Sequence, residues 1–470
     1  MQQLSKRNRT NYSSNFECVF KHQATVLKYE TFVGDRKVVS LKKNNSMNRI
    51  LILLVIAVCS FSSCKKDCLQ TVTYTTYEPV YISKEELRSA VKTMPAQALK
   101  KPGKIYLFGK YLFVNEIDKG IHIIDNSNPS SPQKISFINI PGNLDMAVIG
   151  DVLYADSYVD LVTLNIANPL AAIEVNRIEN AIPDRSFAGY YYDPSKGVVT
   201  EWKEVQKTDS LNADCSGSNG GWWGGGGPFL EDNFGGPVAN TAGGVKTTTI
   251  ASGKGGSMAR FAISGSRLYI VDNSNLKAFS ISNPAQPIQA STANIGWDIE
   301  TIFPYQDKLF IGSQTGMRIY SLSNPDVPAM LGSYMHMTAC DPVVVEGSHA
   351  FVTLRSGSPC TNANNQLDVI DISNAAAPKL LTTYPFTNPH GLGIDNGTLF
   401  ICDGSDGLKV FDATDVMKIT ANSLSHFKNI QSTDVIPHNK RLWMTGADGL
   451  YQYNYGDINN ITLLSKIGKE

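Results

Sequence analysis

The sequence predicts an all-β fold, a closed ring of seven four-stranded blades, and three observations predict it. One short phrase recurs seven times. The interval between its copies is near 41 residues and holds four strand-like runs separated by turn residues. The composition, with 42% hydrophobic residues and 38 glycines in 470, suits many short strands joined by tight turns. The 42 basic and 42 acidic residues cancel, so nucleic acid is not an expected partner.

Taken from the beginning, residues 1–46 are polar and basic without an apolar period, and Met47 is expected to be the true start. Residues 47–63, MNRILILLVIAVCSFSS, have a basic residue, an apolar run too short to span a bilayer comfortably, and small residues before Cys64. This reads as a signal peptide. Phe61-Ser62-Ser63-Cys64 resembles a bacterial lipobox, which implies acylation of Cys64 and a membrane-anchored protein of the cell envelope. Lys65-Lys66-Asp67 resembles the post-cysteine tethers of Bacteroidetes-type surface lipoproteins.

Residues 64–101 are expected to form the anchor, tether and lead-in. They contain a β-prone stretch from Thr71 to Ile82 and then a short helix, with Ser83 as N-cap and Glu86 at its third position. The ring is expected over residues 102–470. Its phrase reads IIDNSNP, TLNIANP, FSISNP, YSLSNP, VIDISN, VFDATD and YNYGD. With Asp125, Asn165, Ser280, Ser321, Asp371, Asp412 and Asn454 as equivalent, the spacings are 40, 115, 41, 50, 41 and 42. Gly120, Gly316, Gly407 and Gly449 fall where the hairpin between the second and third strands needs a positive φ. A four-stranded unit cannot bury both its faces alone, whereas stacking seven radially does, so the expected architecture is a β-propeller.

The long spacing places an insertion at about 183–257. It opens with GYYYDPSKGVVTEWKEV, whose alternation predicts a hairpin, and continues into the Gly-rich run around Trp222 and Trp223, expected to form a disordered or mobile flap. The two tryptophans offer a sugar platform or are incidental. Asp209-Ser210-Leu211 resembles a minimal O-glycosylation signal of Bacteroidetes periplasmic proteins.

The third-strand motifs IHIID, LDVID and LKVFD, within GKIYLFGKYLFVNEIDKGIHIIDNSNP, NQLDVIDISN and NPHGLGIDNGTLFICDGSDGLKVFD, resemble the LVIVD repeat and the LVIVD-repeat lipoproteins of Bacteroidetes. The resemblance covers residues 74–182 and 258–468. It implies a propeller in the cell envelope at the outer membrane, and no established reaction.

Candidate site residues follow from position. The channel mouth collects the starts of the inner strands, where Asp145, Arg260, Asp298, Asp341, His390 and Asp434 stand. They could form a ligand rim, or the aspartates could cap strand-end amides. His390 is the best single candidate for acid–base or metal work. Asp403 and Asp406 could suggest calcium, though Asp-Gly turn chemistry suffices there.

Cys68, Cys215, Cys340, Cys360 and Cys402 remain after the anchor, and Cys340–Cys360, which bracket two predicted strands of one repeat, are the expected disulfide. No Cys/His cluster has zinc spacing, no cofactor is implied, Gly253-Lys254 lacks a P-loop around it, and no hydrolase motif occurs. The expectation is a monomeric, non-enzymatic scaffold for a protein or glycan ligand. The alternative is a carbohydrate-active or other hydrolytic propeller using Asp145, Asp341, Asp434 and His390. It would need two carboxyl groups roughly 5–9.5 Å apart across an open pocket.

Overall fold

The computed structural model describes residues 67–185, 190–214, 253–335, 342–356 and 365–470. Cys64, Asp341, the Cys340–Cys360 pair, Trp222 and Trp223 lie outside them. Seven antiparallel sheets, each of four consecutive strands, form the propeller. From blade 1 to blade 7 the first strand of each blade touches the first strand of the next, which makes it the inner strand, and the first strand of blade 1 meets the second strand of blade 7.

The recurring phrase has a direct physical cause. At the end of every third strand its first polar residue turns back on the residue two further on: Asp125 Oδ1 accepts from the Ser127 amide at 2.8 Å, and Asp371 and Asp412 repeat the contact with Ser373 and Thr414. The phrase's second polar residue does the same in all seven blades, as Asn128 does for the Ser130 amide at 3.2 Å and Asp457 for the Asn459 amide at 3.0 Å. Two successive side-chain turns carry the chain around the corner into the fourth strand, so each copy must keep a short polar side chain at both places. The hairpin glycines are equally determined. Gly120 has φ +145°, and a Cβ there would lie 2.0 Å from the Ile138 carbonyl oxygen.

Large apolar side chains from the middle strands, such as Phe113, Tyr154, Phe310, Phe351 and Phe400, are fully buried. Tyrosines that reach a blade boundary satisfy their hydroxyls on the neighbouring corner. Tyr154 donates to the Pro284 carbonyl at 2.6 Å and Tyr269 to that of Pro325 at 2.7 Å. Blades 7 and 1 meet in the same way, with Ser465 Oγ on the Pro129 carbonyl at 2.7 Å and Gln452 Nε2 on Asn126 Oδ1 at 2.8 Å.

Two segments outside the repeat join blade 1 and extend its sheet to six strands: Lys92–Pro95 on its outer edge and Lys254–Gly255 on its inner edge. The helix Lys84–Ser89 begins where the sequence places it, with the Glu86 amide donating to Ser83 Oγ at 3.1 Å. Its Leu87 is fully buried with Tyr158, Val159 and Val198.

The segment expected to fold into a hairpin does not pair with itself. After a short 3₁₀ turn at Pro194–Lys196, Val198–Asp214 forms a single 17-residue strand, and its partner is the strand Asp67–Ile82. Alternation specifies a strand but not its partner, and the β-prone lead-in supplied one distant in sequence. The chain forms two compact units. Among the described residues, one comprises those of 79–203 and 253–470 and contains the propeller; the other comprises 67–78 and 204–214. In the described part of the second unit, Tyr74 donates to Asp209 at 2.8 Å and Lys207 pairs with Glu78 at 2.9 Å. Among the described residues no helix is long and apolar enough to cross a membrane.

Candidate functional site

The axial channel is the natural place for a site, and the chain itself crosses it. Residues 253–259, the end of the insertion, touch inner strands of five blades. The Gly253 amide donates to the Val148 carbonyl in blade 2 at 2.9 Å. Lys254 and Gly255 pair with Leu107 and Tyr106 in blade 1. Lys254 Nζ donates to the Pro437 carbonyl in blade 7 at 2.9 Å, Ser257 Oγ accepts from the Leu392 amide in blade 6 at 2.9 Å, and the Ala259 carbonyl accepts from Ile302 in blade 4 at 2.8 Å. Three glycines in Gly253-Lys254-Gly255-Gly256 let backbone lie flat against backbone. A Cβ on Gly256 would stand 2.1 Å from Asp434 Oδ2.

This plug determines what happens at the upper mouth, where the inner strands begin. Asp145, just ahead of Met146–Ile149, receives the Met146 amide at 2.7 Å on Oδ1. Its Oδ2 receives Lys104 Nζ at 2.6 Å, the Phe261 amide at 3.3 Å and the Arg260 amide. Asp434, inside Ser432–His438, receives the Val435 amide at 2.9 Å and Ser257 Oγ at 3.3 Å on one oxygen. Only 3% of Asp145 and 4% of Asp434 is exposed, so neither faces an open pocket. Burial pushes the Asp434 carboxyl up to about 7, reinforced by the Asp145 charge and opposed by Lys104. These two aspartates thus cap the starts of their strands; Lys104 is bonded to Asp145 and acts on Asp434 through its charge alone.

The remaining rim positions lie on blades 3, 4 and 6. Arg260 Nε reaches the Glu300 carbonyl at 3.4 Å, and Gln314 Nε2 reaches Glu300 Oε1 at 3.2 Å. Asp298 is half-buried in a left-handed turn at φ 58°, next to Trp297, which is 76% exposed. His390 has its backbone tied to Cys402 and Thr353, and its Nε2 lies 3.2 Å from Asn388 Nδ2. Burial first, and then the Arg355 charge, lower its pKa to about 4, so its imidazole is neutral near pH 7. Among the described residues no group of three or more His, Cys, Asp or Glu is placed to hold a metal ion. Asp403 is buried and paired with Lys409 at 2.6 Å, and its Oδ1 accepts the Asn388 amide at 2.7 Å. Cys402 is a buried free thiol.

Sequence position did not reveal the lower mouth, where the inner strands end. A pocket of about 120 Å³ opens there, lined by the plug and by Tyr106, Phe261, Ile263, Ile302, Phe303 and Pro304. A recess of about 20 Å³ against Leu392, Val435 and Pro437 shares Lys254, Gly255, Gly256 and Phe303 with it. Burial lowers the Lys254 pKa, opposed by the charges of Asp395 and Glu346. Both carboxylates are engaged elsewhere: Glu346 accepts the Asn396 and Gly397 amides at 2.8 and 2.6 Å, and Asp395 accepts the Tyr455 hydroxyl at 2.7 Å. The available signal was the lysine between glycines at 253–256, which a phosphate-loop comparison rejects without suggesting another role.

The chain carries LVIVD repeats, matched at residues 102–138, 255–294 and 339–385. No curated protein matches the sequence significantly. Among solved structures it is similar to a functionally unknown protein from Desulfotomaculum acetoxidans, at 12% identity and a TM-score of 0.41 over 77% of this chain and 98% of the other. It is also similar to BamB from Moraxella catarrhalis, at 9% identity and 0.42 over 84% and 92%. A third is Kluyveromyces lactis Hsv2, at 11% identity and 0.44 over 79% and 100%.

Proposed function

We propose that the protein is a lipoprotein of the cell envelope, acylated on Cys64 and held at the outer membrane, whose LVIVD-repeat propeller is a non-enzymatic scaffold for a protein or glycan ligand. The observation that carries the scaffold reading is the plug. Residues 253–259 are bonded to the inner strands of five blades, and the two aspartates best placed for acid–base work are buried and accept from backbone amides, Lys104 and Ser257. What remains accessible at the upper mouth is a recognition surface: the exposed Trp297 ring, the half-buried Asp298 carboxylate, Arg260 and neutral His390. A flat aromatic face beside hydrogen-bonding groups suits a sugar ring or a peptide side chain. The anchor rests on the apolar run and small residues before Cys64.

Two experiments test the two parts. Cells expressing the chain are labelled with a palmitate analogue, and label on the wild type that is lost in Cys64→Ser supports the anchor; equal labelling overturns it. The purified protein is then screened on a glycan array and against envelope proteins, with Trp297→Ala and His390→Ala alongside. Binding weakened about tenfold by either change supports the upper mouth. Ligands that bind regardless of both, or hydrolysis of an arrayed glycan, sink the scaffold reading at that surface.

A further inference from the structure

We propose that the lower mouth of the channel is a second binding site, specific for a small organic acid whose apolar body fills the pocket against Tyr106, Phe261 and Phe303 and whose carboxylate pairs with Lys254 Nζ.

Lys254 is carried into the channel by the plug, and among the described residues its Nζ has one hydrogen bond, to the Pro437 carbonyl at 2.9 Å. Among the described residues no carboxylate lies within ion-pair distance of it, and the nearby Asp395 and Glu346 are committed to Tyr455 and to backbone amides. Lys254 is half-buried, and its ammonium group, held by a single carbonyl, has two further donors and a charge that no group among the described residues compensates. An anionic group entering the recess would meet both needs. His438, on the same mouth, has its pKa lowered by burial and then by the Lys254 charge, so it adds no competing cation near pH 7.

The pocket then specifies the rest of the ligand. Opposite the polar plug its walls are aromatic and aliphatic, and its volume of about 120 Å³ is close to that of a dry cavity of roughly 150 Å³ that accepts a benzene ring. A single ring or a short branched chain fits. A sugar ring would strand its hydroxyls against Phe261, Ile302 and Pro304. The recess of about 20 Å³ beside Pro437 has room for the head group alone. Apolar body and acidic head are thereby assigned to two adjoining spaces that meet at Lys254.

Benzoate is a suitable probe, titrated into the intact protein near pH 7 and followed by calorimetry and by ligand-observed NMR, with benzyl alcohol as its uncharged counterpart. Benzoate is expected to bind at least about tenfold more tightly than benzyl alcohol. Lys254→Met is expected to remove that preference. Ile263→Trp, which fills the pocket from a half-buried position, is expected to abolish binding of both probes without altering the melting temperature, and it carries the test should Lys254→Met not fold. Equal affinity for the two probes, a preference for benzoate that survives Lys254→Met, binding of either probe that survives Ile263→Trp, or no binding at millimolar benzoate overturns the proposal. The site is independent of Trp297 and His390, so its failure leaves the upper-mouth reading standing, and the converse also holds.

Discussion

Replacing Asp434 with asparagine is expected to remove most of the pH dependence that this buried carboxyl imposes on the fold. In the unfolded chain an aspartate titrates near 3.8, whereas in the propeller Asp434 titrates at about 7. As the pH rises from 4, the unfolded state gives up its proton first while the folded state holds it, so ionisation favours unfolding across that interval and ceases to change the balance above about 7. The shift of about 3 units corresponds to about 4 kcal/mol of stability that is present at pH 3.5 and lost by pH 8. Asparagine keeps the essential geometry, because the Val435 amide and Ser257 hydroxyl both donate to one oxygen, Oδ1, which the amide oxygen can replace. Urea unfolding of wild type and Asp434→Asn at a series of pH values reads the difference directly. The variant should gain on the wild type steadily between pH 4 and 7 and hold its advantage above. Curves that stay parallel within about 1 kcal/mol would show that Asp434 ionises normally and that the description of the plugged axis is wrong.

Two further outcomes test other contacts. Lys409→Met leaves Asp403 fully buried without its cation, and about 3–5 kcal/mol of stability should be lost; Asp403→Asn with Lys409→Met should recover part of it, as measured by the same unfolding assay. Ser83→Ala removes the oxygen that accepts the Glu86 amide and should cost about 1 kcal/mol, read as faster amide exchange over Lys84–Ser89.

The repeat was legible in the sequence because its determinants are local. The polar residues at 125 and 128 and their counterparts each act on a backbone amide two residues away, and Gly120 acts on the adjacent strand, so the number of blades and the limits of their strands could be counted from the phrase. The rim positions were legible to the same degree: Asp145, Arg260, Asp298 and His390 do stand just ahead of inner strands, and Asp434 lies just inside one. Their roles were not legible, because those depend on Lys104, Ser257 and Glu300, which come from other blades or from the plug. The partner of Val198–Asp214 and the path of residues 253–259 were hidden for the same reason. Nothing near either segment in sequence states which distant strand it will meet, and the glycines that read as loose chain at 253–256 are in the structure a means of close approach.

Seen as a matter of assembly, the plug is also a clasp. Among the described residues no blade borrows a strand from the opposite end of the chain, so blades 7 and 1 join at a seam held by a buried side-chain cluster that includes Ile105, Val114, Trp443 and Leu450, with hydrogen bonds beside it. Residues 254–257 reach across that seam from within: Lys254 and Gly255 pair with blade 1, while the Lys254 amine and Ser257 hydroxyl hold blade 7. Chains fold largely from the N-terminus as they are made, so the clasp segment has emerged while five of the seven blades, 3 to 7, have yet to be added. Blade 7, the last to emerge, therefore closes onto a hub that blade 1 already carries, and the insertion that interrupts the repeat is what lets the circle lock.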